Sequence, residues 1–159
     1  MIGPPPIGGS PSALPPDSDS RREVLIDIFG RCFIWALEEA QVGCRKLVES
    51  REARKSLGTI KAAAYEAVEG LPDDSRQIAY SYARRVAERF GRNVLGILSS
   101  EGISLMYGDN HAIRFRIVAE IVDRIEEAIQ IEEVLNRGSQ KALGSYWGHW
   151  LFEFGKLKE

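Results

Sequence analysis

His111, His149, Cys32 and Cys44 are the residues of this 159-residue chain best suited to chemistry. His149 stands four residues before Glu153, a spacing that on one helix face lets a carboxylate orient an imidazole as a general base. Such a base needs a nucleophile. Cys32 or Cys44 could serve, but both fall in an apolar segment expected to be a core helix, where a thiol is usually inert. Neither histidine belongs to His-Glu-x-x-His or Glu-x-x-His, the spacings that zinc proteases and di-iron carboxylate bundles use to aim two ligands from one face. A Gly-x-x-x-x-Gly-Lys-Ser/Thr phosphate loop and a Gly-x-Ser-x-Gly elbow are also missing. The reading is a protein that is not an enzyme and needs no metal or cofactor. A small hydrolase built around His149 is the catalytic alternative.

Charge offers a second kind of chemistry. Arg85, Arg89 and Arg92 fall at intervals of four and three, with Arg84 and Arg76 nearby. Arg45, Lys46, Arg51, Arg54, Lys55 and Lys61 form another positive region. Such stripes can hold phosphates in salt-dependent binding, so a nucleic-acid-associated regulator using the arginine-lined helix is an alternative function. No interleaved aromatics or helix-turn-helix spacing accompany them, and the net charge is −2, which favours a solvated helix face. Glu120, Asp123 and Glu127 make the complementary pattern at three and seven. On a helix they would face the arginines of the same molecule, or a basic protein partner such as a toxin or nuclease.

Gly144 to Gly155 is the sharpest local feature. Gly144 and Gly148 each cost a helix about 1 kcal/mol relative to alanine, so close approach of another backbone is expected there. Trp147, Trp150 and Phe154 are expected to seal the core, while Tyr146 and His149 are expected to be exposed, their polar tips facing water or a partner. The run Tyr146-Trp-Gly-His-Trp-Leu-Phe-Glu153 resembles an aromatic stretch near the end of some helical immunity proteins that neutralise bacterial polymorphic toxins. That resemblance implies an inhibitor that occludes a toxin or effector, with Glu120, Asp123, Glu127, Tyr146 and His149 as its contact surface.

These residues must be positioned by helices. Ser20-Arg-Arg-Glu23 reads as a capping box, starting a first helix near Arg21 whose stripe runs through Leu25, Ile28, Cys32, Ala40 and Leu47. Phe29, Phe33 and Leu37 widen the stripe until Asp27 and Arg31, four apart and able to pair, interrupt it, as expected of a central helix or a homodimer seam. The segment is too short and too charged to cross a membrane, and no membrane partner is expected. A second helical stretch spans Ser50 to Glu69, with Gly58 its weak point and Gly70-Leu-Pro72 its stop. A third runs from Asp73 to about Ser99 on a stripe of Ile78, Tyr82, Val86, Phe90, Val94 and Leu98. Ser100-Glu-Gly102 breaks it, Ile103 to Tyr107 is a loop or small strand, and Gly108-Asp-Asn110 turns the chain. Isoleucines at 113, 117, 121, 125 and 129 predict a fourth helix from near His111 to Leu135, and Ser139 can cap a fifth.

The expected fold is an all-α, single-domain bundle of about five helices over residues 20–159, after a flexible Pro/Gly/Ser-rich tail over 1–19. Two thiols without a Cys-x-x-Cys pair suit a reducing, cytoplasmic setting. The functional expectation is a non-enzymatic protein-binding module.

Overall fold

The computed structural model describes residues 11–99, 105–106, 112–113, 115–137 and 141–155. The first ten residues of the tail, the breaks at Ser100-Glu-Gly102 and Gly108-Asp-Asn110, His111 and the Ser139 cap lie outside them. The fold is predominantly helical, with five α-helices among the described residues: α1 (Ser18–Glu49), α2 (Arg51–Arg54), α3 (Thr59–Glu69), α4 (Asp73–Leu98) and α5 (Trp147–Phe154). Two short antiparallel pairs join them: β1 (Leu105–Met106) with β2 (Ala112–Ile113), and β3 (Val118–Val122) with β4 (Ile129–Val134). No helix among the described residues is long and apolar enough to cross a membrane.

The helix ends follow local chemistry. Asp17, not Ser20, caps α1: its Oδ2 accepts the Ser20 amide at 2.8 Å and the Ser20 hydroxyl at 2.9 Å. The expected capping box does not form because the helix already begins at Ser18, which places Ser20 inside its first turn. A 3-10 turn forms at Pro11–Ala13, and the Pro16 carbonyl accepts from the Arg21 guanidinium at 3.0 Å. Ser50 caps α2 by accepting the Ala53 amide at 3.2 Å. The predicted Ser50–Glu69 helix is broken at Gly58, which is the extended N-cap of α3. Pro72 fits the start of α4, where a missing N–H costs nothing.

The predicted fourth helix is instead the β3–β4 hairpin. Its register pairs Val118 with Val134 and Ile121 with Ile131, and a bulge follows Ile121. Asp123 closes the turn, its Oδ1 accepting the amides of Ile125 at 2.8 Å and Glu126 at 3.0 Å. Glu127 takes a left-handed φ of 53°.

The chain divides into two compact units. The first comprises Met1–Trp35 and Arg92–Lys158. Its core holds Leu25, Ile26 and Ile34 of α1, Leu95 of α4, Leu135 after β4, and Leu143, Trp147 and Trp150. Buried polar residues fasten the hairpin. The Glu133 carboxylate accepts from Ser18 Oγ at 3.0 Å and from Arg21 Nη2 at 2.5 Å. Asn136 accepts the Ile117 amide at 2.8 Å and donates to the carbonyls of Leu98 at 2.5 Å and Phe115 at 2.7 Å.

The second unit, Ala36–Gly91, holds the C-terminal part of α1, α2, α3 and most of α4. Arg54 is its buried tie: Nη1 donates to the carbonyls of Leu47 at 2.8 Å and Val48 at 2.5 Å, and Nη2 to Glu69 at 2.5 Å. That guanidinium closes the end of α1 and anchors α3. Val48 is the unit's only buried apolar side chain.

Candidate partner-binding surface

In the first unit, α5 packs its aromatics on α1. Trp150 is fully buried, its indole edge-on to Phe29 at 5.9 Å and lying so close to Gly30 that a Cβ there would come within 2.2 Å of the ring. This is the close approach that the glycines of the segment suggested, placed on the opposite helix: a Cβ on Gly144 or Gly148 would meet nothing within 4 Å. Trp147 is buried edge-on to Phe33 at 6.1 Å, as expected, and Phe154 is half-buried.

Tyr146 is a correction. It is buried, stacked on Trp150 at 5.8 Å, and its hydroxyl donates to both Glu23 oxygens at 2.7 and 2.8 Å. Burial, with the Glu23 carboxylate adding to it, pushes the phenol up to about 12. Its polar tip found a partner inside the molecule, where exposure had been expected. His149 is half-exposed as expected, but its Nε2 stands 3.6 Å from Asp27, which also accepts from the Trp150 indole at 3.2 Å. The carboxylate beside the imidazole is therefore Asp27 and not Glu153, and Asp27 pairs with α5 where a bond to Arg31 was expected.

The acidic triad is not assembled. Glu120 points from β3 directly opposite Glu132, Asp123 is consumed by its turn, and Glu127 sits past that turn. The backbone N–H groups of Glu126 and Ile125 hold the Asp123 carboxyl below its ordinary value. Glu120, Asp123 and Glu127 share no helix face because there is no helix.

Arg85, Arg89 and Arg92 do lie on α4 and are exposed, without ion pair or hydrogen bond among the described residues. Arg85 and Arg89 belong to the second unit and Arg92 to the first. Beside the first two runs the apolar stripe that the sequence places on this helix. Ile78, Tyr82, Val86 and Phe90 are 70%, 70%, 51% and 69% exposed. At four-residue spacing they form one ridge about 18 Å long. On its other side Ala83 and Ala87, with Ala40 and Cys44 of α1, line a cavity of about 130 Å³. Cys44 is exposed there, contrary to its expected burial, while Cys32 is half-buried. The rim is ordered: Arg45 lies 4.8 Å over the Tyr80 ring, and Arg84 is paired with Glu88 at 2.8 Å.

Among the described residues no group of three or more His, Cys, Asp or Glu side chains could hold a metal ion. No protein-family model, curated protein or solved structure matches this chain.

Proposed function

We propose that the chain is a non-enzymatic protein-binding module whose contact surface is the α4 ridge of its second unit. One observation carries the reading: a unit with a single buried apolar side chain leaves Ile78, Tyr82, Val86 and Phe90 in solvent. A contiguous apolar row of that kind is the usual mark of a protein interface, and Tyr and Phe are suited to the centre of one. An inhibitor that occludes a partner is the form suggested by the immunity-protein resemblance. The contact moves from the hairpin acids and Tyr146 to α4. Capture with the full chain tests it, run beside the Tyr82→Glu/Phe90→Glu variant. A partner held by the wild type and lost by the folded variant is expected; identical recovery by both would overturn the assignment.

One observation favours a second reading, a single-stranded nucleic acid platform. Tyr82 and Phe90 are exposed beside Arg85 and Arg89, so aromatics do interleave with the arginines, contrary to the reading of the sequence. Binding of an oligonucleotide that falls with salt and disappears in Arg85→Glu/Arg89→Glu would support it.

A further inference from the structure

The charges beside the ridge specify its occupant. The row of α4 next to Ile78, Tyr82 and Val86 reads Gln77, Ser81, Arg85, Arg89, two neutral groups and two cations, preceded at the helix start by Asp73, which Arg76 holds. All four are exposed. The nearest acid on the helix, Glu88, is already held by Arg84. On the other flank the Ala83/Ala87 trough and its cavity of about 130 Å³ can receive a single aliphatic side chain. The surface is therefore a ridge with a trough on one side and unpaired positive charge on the other.

A second copy paired about Val86 does not complement it. In a two-fold pairing centred on Val86, Arg85 and Arg89 of one copy would meet the same arginines of the other, with no acid between them on the row. We infer that the ridge takes an acidic amphipathic helix of another protein. Its apolar residues at i, i+3, i+4 and i+7 interdigitate with Tyr82, Val86 and Phe90, one of them entering the trough. Its glutamates or aspartates on one flank meet Arg85 and Arg89. This inference rests on the protein-binding reading and adds the chemistry of the partner.

The test is a displayed library of amphipathic helices, leucine along one face and the flanking rows varied among Glu, Gln and Lys, selected on the full chain. Glutamate on one flank is expected to be enriched about tenfold over lysine, as two rim charge pairs allow. The preference should shrink at high salt and reverse to lysine on the Arg85→Glu/Arg89→Glu variant. Helices enriched without charge preference, or with one the variant leaves unchanged, overturn the inference and leave the protein-binding reading standing. No helix enriched, together with capture that Tyr82→Glu/Phe90→Glu does not alter, removes both. Self-association of the wild type abolished by that variant assigns the ridge to a second copy, and oligonucleotide binding lost in Arg85→Glu/Arg89→Glu assigns it to nucleic acid; either overturns the acidic-helix assignment.

Discussion

Gly30 and Tyr146 show how far a single side chain governs the α1–α5 contact. With a Cβ only 2.2 Å from the Trp150 ring, Gly30→Ala forces the indole or the helix to shift, and urea denaturation is expected to register a loss of about 2 kcal/mol. The Tyr146 hydroxyl has a folded value of about 12 against an ordinary 10.0. A raised value means that the folded state holds the proton more tightly, so this contribution is complete below pH 10 and is lost as pH rises toward 12. Melting temperature is therefore expected to fall between those limits, and Tyr146→Phe should flatten the slope while removing the bond to Glu23. Tyr65 and Tyr80, also raised by burial, contribute in the same direction, so the comparison is made against the same scan of the wild type. The spacing of Gly144 and Gly148 signalled close packing in this region. It did not identify Gly30 as its site, since a glycine inside a helix carries no mark of the ring that will cover it.

At the scale of elements, the hairpin depends on Glu133. This carboxylate is 6% exposed, and without it Arg21 loses its buried partner. Glu133→Ala is expected to cost about 3 kcal/mol and to accelerate amide exchange through β3 and β4. Glu127→Gly should have the opposite sign, a gain of about 0.5 kcal/mol, because glycine takes the φ of 53° without strain. The helices were largely legible: Pro72 and the four-residue stripes place α1 and α4 within a few residues, while the stretch read as one helix from Ser50 to Glu69 divides at Gly58 into α2 and α3. The hairpin was not, for a physical reason. Isoleucines four apart line one face of a helix, but four is also twice the strand period, so Ile117 and Ile121 share a strand face equally well. The abundance of β-branched residues and the turn-forming Asp123 were the signals that could have separated the two. Neither Glu133 nor Asn136 was nominated, because a buried polar tie is defined by partners more than a hundred or several tens of residues away, such as Ser18 and Leu98.

For the whole molecule, apolar surface is distributed unevenly between the two units. The α4 stripe was legible as amphipathic, but periodicity reports that a face is apolar and not what covers it. Because Ile78, Tyr82, Val86 and Phe90 are half-exposed or more, replacing any one by serine is expected to change unfolding free energy by less than about 0.5 kcal/mol. Equilibrium urea titration of the four variants checks this. A thin core has a further consequence for the life of the chain in a cell. Proteases act on transiently opened segments, and a ligand that binds the closed form suppresses opening by mass action. Copies made in excess of their occupant should be degraded first through residues 36–91, so the steady-state amount of this protein would follow the supply of its partner more closely than its own rate of synthesis.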